Sequence, residues 1–325
     1  MMKKIGVVIP TYNEEGNVCE IHRRLTEIFQ AELPQYDYEI LFIDNKSTDS
    51  TREKLERLCR QDSHVKSIFN IHNFDFRRSS FYGLTQSDGD ATFLINADMQ
   101  DPPELLPAFV EKWESGKSVV IGIKSGSRES LLLRCMRKFY YWVIKLFSES
   151  EQIANFNGFG LYDQSFIKIL RQLNETDPYL KGIVADYASE IEKVSYEQRD
   201  RKEGKGTTNF FRMYDFAMSG ITSTSKIILR MCTMIGFMLA IISLIVAISV
   251  IVSKFLHWEE FQLGMAAMST GVFFLGSVQL FFIGIMGEYV LAINTKAAHR
   301  PLIIEERRIN FEATEENEYE TKKSL

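Results

Sequence analysis

The sequence predicts an α/β domain with a mostly parallel sheet, followed by two C-terminal transmembrane helices. Three observations lead there. Short apolar runs alternate with amphipathic ones through the first 225 residues, the pattern of strands joined by helical crossovers. Two long apolar stretches follow, Met231–Val252 and Ala266–Met286. One apolar run, Phe93-Leu94-Ile95, stops abruptly at Asn96-Ala97-Asp98-Met99-Gln100-Asp101-Pro102-Pro103. Oxygen-bearing side chains at the carboxyl end of a buried strand sit where open α/β sheets bind ligands, and the prolines stiffen the exit. Such oxygens suit a hard divalent cation bridging a diphosphate; an acidic turn capping the next helix is the plainer alternative.

Taken in order, the apolar runs Ile5–Ile9, Glu39–Ile43, Lys66–Asn70, Ala91–Ile95 and Ser118–Ile123 read as strands. Helical periodicity falls between them, over about 16–31, 49–62, 79–85 and 103–115, with Asp49 a candidate cap for the second helix. No GxGxxG and no Gly-Lys-Ser/Thr follows any strand, which argues against dinucleotide and NTPase sites. The net charge of −5 gives no hint of nucleic-acid binding. Four cysteines without a close pair suggest neither a disulfide framework nor a zinc site, so a reducing cytosol is expected. The start of the chain is too short and too soon interrupted to read as a signal peptide.

Met231–Val252 carries no charged side chain, and in Ala266–Met286 only Gln279 is strongly polar. Each meets the roughly 20-residue requirement for a membrane helix. Lys226 and Arg230 precede the first, and Lys296, His299 and Arg300 follow the second. The loop between holds Lys254, His257, Glu259 and Glu260. The positive-inside bias therefore puts both termini in the cytoplasm. Gly264, Gly271, Gly276, Gly284 and Gly287 give the second helix small faces suited to close packing, compatible with oligomers.

These residues together resemble a known family. Val7–Asn17 (VVIPTYNEEGN) is similar to the opening strand and loop of family 2 glycosyltransferases with the GT-A fold. Leu41–Thr51 (LFIDNKSTDST) resembles that family's Val-Asp-Asp-Gly-Ser-Thr-Asp segment, and Asn96–Pro103 its Asp-Ala-Asp-Leu-Gln-Asp-Pro-Pro segment. With the Asn155–Asp163 segment, the stretch Arg201-Lys202-Glu203-Gly204 and the paired apolar segments in order, the chain resembles the polyprenyl-phosphate branch over about residues 4–310. That branch includes dolichyl-phosphate mannose synthases and bactoprenol glucosyltransferases.

The resemblance implies roles position by position. Pro10, Thr11, Tyr12 and Glu14 would line the nucleotide base and ribose, although Glu14 also reads as a helix-start acid. Asp44 would accept a base N–H and so discriminate bases. Asp98 would be the main ligand for Mg²⁺ or Mn²⁺, with Asn96 and Gln100 beside it and the donor diphosphate completing the shell. Asp101 and Asp163 are candidate bases, Asp163 equally a cap for a helix over 166–173. Arg128 and Arg134, in a basic and aromatic run, would meet the acceptor phosphate or lie on a surface helix. Arg201 and Lys205 would belong to a mobile loop closing over the phosphates.

The chain also departs from the family pattern. Asn45 and Lys46 stand in place of Asp-Gly, and Asn96 in place of the first Asp of Asp-x-Asp. Aligned on Leu161 and Asp163, Gly158 takes the place of an acid often proposed as the base, and Gly160 that of an arginine. A hydroxyl acceptor normally needs a base. A phosphate monoester, with a second pKa of about 6, is largely dianionic at neutral pH and does not.

The resemblance thus implies an inverting glycosyltransferase moving a sugar, UDP-linked by preference, to a polyprenyl phosphate for surface-glycan modification. A GT-A domain over 1–210 would be followed by an amphipathic segment at 211–230, a two-helix region at 231–290 and a tail at 291–325 with a disordered acidic end. It would sit in the bacterial inner membrane with its catalytic domain cytoplasmic, as an oligomer, by family a tetramer. Two rivals are a catalytically impaired binding or scaffold protein and a transferase acting on a hydroxyl. A processive polysaccharide synthase is disfavoured by the missing Gln-x-x-Arg-Trp motif.

Overall fold

The computed structural model describes residues 2–125, most of 153–199, part of 234–252, and residues 265–297 and 301–311. The chain divides into two units: residues 1–136, 152–208 and 299–325 form one, and residues 137–151 and 209–298 the other.

The first unit is built on an eight-stranded sheet. Its strands are β1 (Lys4–Thr11), β2 (Asp37–Asp44), β3 (Val65–Asn70), β4 (Ala91–Leu94), β5 (Val119–Lys124), β6 (Gly160–Asp163), β7 (Ile191–Tyr196) and β8 (Glu305–Ile309). They lie in the order β7-β5-β6-β4-β1-β2-β3-β8. β1 pairs in parallel with both β2 and β4, β2 with β3, and β5 with β7; β6 and β8 run antiparallel to their neighbours.

Period-two alternation sorts the strand side chains into two cores. Ile5, Val7, Ile9, Ile40 and Phe42 join one, against α1 (Val18–Ala31), α2 (Thr51–Gln61) and α4 (Leu106–Glu114). Val8, Leu41 and Ile43 join the other, with α3 (Phe76–Gln86), α5 (Gln164–Gln172) and α6 (Leu180–Tyr187). α1 shows how the sequence selects its element: Val18, Ile21, Leu25, Ile28 and Phe29 recur at helical spacing and are all buried. Each such side chain contributes about 1.5–3 kcal/mol on leaving water. Both faces of the sheet are covered, which is why its central strands read as continuous apolar runs.

This topology positions the site. After β3 the chain returns across β1 to form β4 on its other side, so the carboxyl ends of β1 and β4 flank a topological switch point. Thr11, Asp44 and the Asn96–Asp101 segment all emerge at that edge.

β8 was not expected. Residues 305–309, within the stretch read as tail, pair antiparallel with β3, and the Ile71 amide donates to the Ile304 carbonyl at 3.1 Å. Asn310 secures its far end through 2.6 and 2.8 Å bonds to the carbonyls of Cys59 and Val65.

In the second unit, α7 (Met265–Ala297) contains the window Phe274–Leu291, with mean hydropathy 1.6 and none of it buried, long and apolar enough to cross a membrane. The first apolar segment, 231–252, is described in part, and the described residues, 234–239 among them, are helical.

Candidate active site

The loops after β1 and β2 are laced into one floor. The Asn13 amide donates to Ser47 Oγ at 2.9 Å, and Asn13 Oδ1 accepts from the Thr48 amide at 2.8 Å. The Glu14 amide donates to Thr51 Oγ1 at 2.9 Å, and the Asn45 amide to the Thr11 carbonyl at 2.9 Å. Pro10 and Thr11 are buried, and Tyr12 stands exposed beside them. Glu14 is buried, with its carboxylate on Asn17 Nδ2 at 2.6 Å and its carbonyl accepting from the amides of Asn17 and Val18 at the mouth of α1. This is the helix-start geometry.

Asp44 ends β2 and is 0% exposed. The Ser47 amide donates to its carboxylate at 3.2 Å, and Arg52 Nε lies 3.3 Å from Oδ2. Burial pushes this carboxyl above the usual range, while Ser47 and Arg52 pull the other way. Asn45, standing where the family has Asp, is buried and accepts from Asn70 at 3.0 Å and Ser79 at 2.7 Å. Lys46, standing where the family has glycine, holds φ at 60°, the left-handed conformation glycine favours.

The segment after β4 turns tightly at Met99, also at φ 60°, and the Gln100 amide donates to Asp98 Oδ1 at 3.2 Å. Asn96 gives its amide nitrogen to Asp101 Oδ2 at 2.9 Å, which leaves its carbonyl oxygen as the acceptor end. Asp101, expected among the catalytic residues, is 0% exposed. Its oxygens accept from Asn96, from Asn157 Nδ2 at 3.0 Å and from the Tyr196 hydroxyl. A carboxylate with three internal donors anchors the loop that carries Asp98. Tyr196 is aimed at it by an aromatic run in which Phe93, Phe109, Phe159 and Tyr196 pack with centroids 5.1–5.6 Å apart.

Among the described residues no three His, Cys, Asp or Glu side chains gather to hold a metal by themselves. The oxygens of Asp98, Asn96 and Gln100 fit a hard cation that arrives with a diphosphate and keeps several waters.

The structure also explains the departures at β6. Gly160 pairs so closely with β5 that a β-carbon on it would lie 2.6 Å from the Val120 carbonyl oxygen, so no arginine fits. Gly158 holds φ at +103°, which disfavours any side chain there. Asp163 caps α5: Oδ1 accepts from the Ser165 amide at 2.8 Å, and Oδ2 from Trp113 Nε1 at 2.7 Å. Asp49 takes the Thr51 amide at 3.0 Å from one residue before the cap position of α2.

Sequence reasoning missed Asn157, Tyr196, Lys124 and Lys181. Lys124 ends β5 at the same sheet edge and within electrostatic reach of Asp101 and Asp98; burial pushes its ammonium down. Lys181, in α6, retains some exposed surface, but burial lowers its pKa to about 8, with repulsion from Lys124 adding. The rule that picked out Asp44, a polar residue closing an apolar strand, would have found Lys124. Arg128, Arg134, Arg201 and Lys205 lie outside the described residues. The Arg199 amide donates to the Gln100 carbonyl at 3.0 Å, so the chain leaving β7 passes the Asp98 loop.

A family model described as Glycosyl transferase family 2 matches residues 6–175. The chain belongs to glycosyl transferase family 2. Its sheet is that of a GT-A-like α/β enzyme, and the protein is a glycosyltransferase. Among its relatives, a bactoprenol glucosyl transferase of Shigella phage SfV is 31% identical over 302 residues, covering 93% of this chain and 97% of that one. The putative glycosyltransferase CsbB of Bacillus subtilis (strain 168) is 31% identical over 323 residues, covering 99% and 97%. Among solved structures, S. aureus TarS 1-349 in complex with UDP-GlcNAc overlays with a TM-score of 0.46 at 18% identity, over 68% of this chain and 66% of that one. That overlay is too partial to bear on this glycosyltransferase's chemistry.

Proposed function

We propose that this glycosyltransferase moves a sugar from a UDP-linked donor to a polyprenyl phosphate at the cytoplasmic leaflet, with inversion, for surface-glycan modification. The observation that carries this reading is the commitment of the carboxylates. Asp101 is taken up by three donors and Asp163 by a helix cap and Trp113, while Gly158 stands where a base is expected. A phosphate acceptor fits such a site because it brings its own negative charge and needs no proton removed at neutral pH. The bactoprenol relatives, similar across nearly their whole length, favour the same acceptor class.

In this reading the laced β1 and β2 loops receive the nucleoside. Asp98, with the oxygens of Asn96 and Gln100, would hold Mg²⁺ or Mn²⁺, and the ion would supply charge neutralisation for the departing nucleotide diphosphate. Asp101 and Tyr196 keep that loop in position. Lys124 and Lys181 offer positive charge on the same side, to be joined by Arg128, Arg134, Arg201 and Lys205.

Membrane anchoring draws support from α7 and from β8. Strands β1–β7 and β8 share one sheet, so the chain between β7 and β8 makes an even number of membrane crossings. If α7 crosses, a partner crossing lies before it, as expected of 231–252. An oligomer held by the glycine-bearing helix is part of the same proposal.

The test is transfer of labelled glucose from UDP-glucose to undecaprenyl phosphate by the purified chain in detergent, with Mg²⁺ or Mn²⁺. A glycosyl phospholipid is the expected product. No transfer from any nucleotide sugar, in protein with an intact thermal transition, overturns the reading.

A further inference from the structure

The Glu306 carboxylate of β8 reaches the loop after β2. Its Oε2 accepts from Lys46 Nζ at 2.7 Å and from Arg52 Nη2 at 3.0 Å. Those two cations bracket Asp44. Lys46 follows it by two residues, in a left-handed conformation that a lysine adopts only when held there. Arg52, in the first turn of α2, lies with Nε 3.3 Å from Asp44 Oδ2 and its guanidinium 5.0 Å over the Phe69 ring. Arg52 Nε is buried, yet it lacks the alignment for a hydrogen bond to Asp44. Arg52 is therefore shared: its outer nitrogen is given to Glu306 while its inner nitrogen only approaches Asp44.

We propose that Glu306 is a positioning residue of the donor site, keeping Arg52 from closing fully onto Asp44 and so leaving that carboxylate to meet the nucleobase. Asp44 is 0% exposed, so whatever lies over it governs what reaches it. Without Glu306, Arg52 is free to form the two-pronged pair that guanidinium and carboxylate prefer, and Asp44 loses its acceptor oxygens to it. The bonds from Lys46 and Arg52 hold the Glu306 carboxyl below its usual range, so it is negative at the pH of the reaction. Specificity for the donor thus depends on a strand that arrives from the far end of the chain.

The inference rests on the reading that Asp44 contacts the base. The experiment is UDP titration by calorimetry on the full chain in detergent, with wild type, Glu306→Ala, Glu306→Gln, Arg52→Ala and Asp44→Asn, alongside steady-state kinetics. Glu306→Ala is expected to weaken UDP binding about fivefold, as loss of a partly exposed ion pair allows, with the change in KM for the donor and not in kcat. In the Arg52→Ala background the Glu306 substitution is expected to have no further effect. Glu306→Gln, which keeps the shape, checks that a loss is not one of folding. Unchanged UDP affinity in both Glu306 variants, with Asp44→Asn weakened, overturns this inference alone. Unchanged affinity in Asp44→Asn overturns the base reading beneath it.

Discussion

Gly160 and the Val120 carbonyl face each other across β5 and β6 at a separation that a single added carbon would reduce to 2.6 Å. Gly160→Ala should destabilise the protein by about 1–3 kcal/mol, because a strand backbone cannot yield as a side chain can. Gly158→Asp is a different case. Its β-carbon would meet only Leu94 and Leu180 side chains, at 3.5 and 3.7 Å, so the cost is the strained φ, about 1–3 kcal/mol. Urea melts of both variants measure the two costs, and transfer assays should show no gain of rate in Gly158→Asp.

Asp44→Asn should separate stability from binding. A carboxyl whose folded pKa is raised stabilises the fold fully only below its unfolded value, and that contribution is lost as pH rises through the folded pKa. At neutral pH the buried charge is therefore a liability. The amide should melt at the same temperature or higher at pH 7, with the difference vanishing below about pH 4. UDP affinity should fall about tenfold, since a hydrogen bond to a charged acceptor is lost.

Asp98 and Asp101 should fail in different ways. Asp98→Ala should cut transfer at least about a hundredfold with an unchanged melt. Tyr196→Phe, which strips one donor from buried Asp101, should cost about 1–2 kcal/mol of stability. If Asp101 were the base, Asp101→Asn would abolish kcat without moving the melt; the three-donor geometry predicts that the melt moves.

Lys181 sets a pH dependence. Its folded pKa of about 8 lies below the unfolded value of about 10.4. The unfolded chain then binds more protons between the two, so stability is full above the upper value and is lost as pH falls through about 8. Lys181→Met should flatten that slope in melts between pH 7 and 10. If the ammonium serves a substrate phosphate, activity should decline above about pH 8 in wild type.

Residues differ in how much of this they disclosed in advance. β1, β2 and β4 were legible because strands buried on both faces must be apolar throughout, and Asp44 and Asp98 because polar side chains at the ends of such strands stand out. β6 was not: four residues beginning with a glycine carry no period. β8 reads Glu-Glu-Arg-Arg-Ile, charged because it is an edge strand facing water, and edges are kept charged to discourage pairing with other chains. Asn157, Tyr196 and Asp101 meet only after β6 has paired with β4 and β7 with β5, long-range events that no local pattern announces.

β8 also dictates an order of manufacture. It is translated after α7, so the edge of β3 stays unpaired, and Lys46 and Arg52 lack their shared counter-charge, until the apolar helix has left the ribosome. A nascent chain halted before that point carries the Asp98 loop but lacks the strand that covers the edge of β3. The sheet of the first unit is therefore completed only once the segment suited to the bilayer has been made.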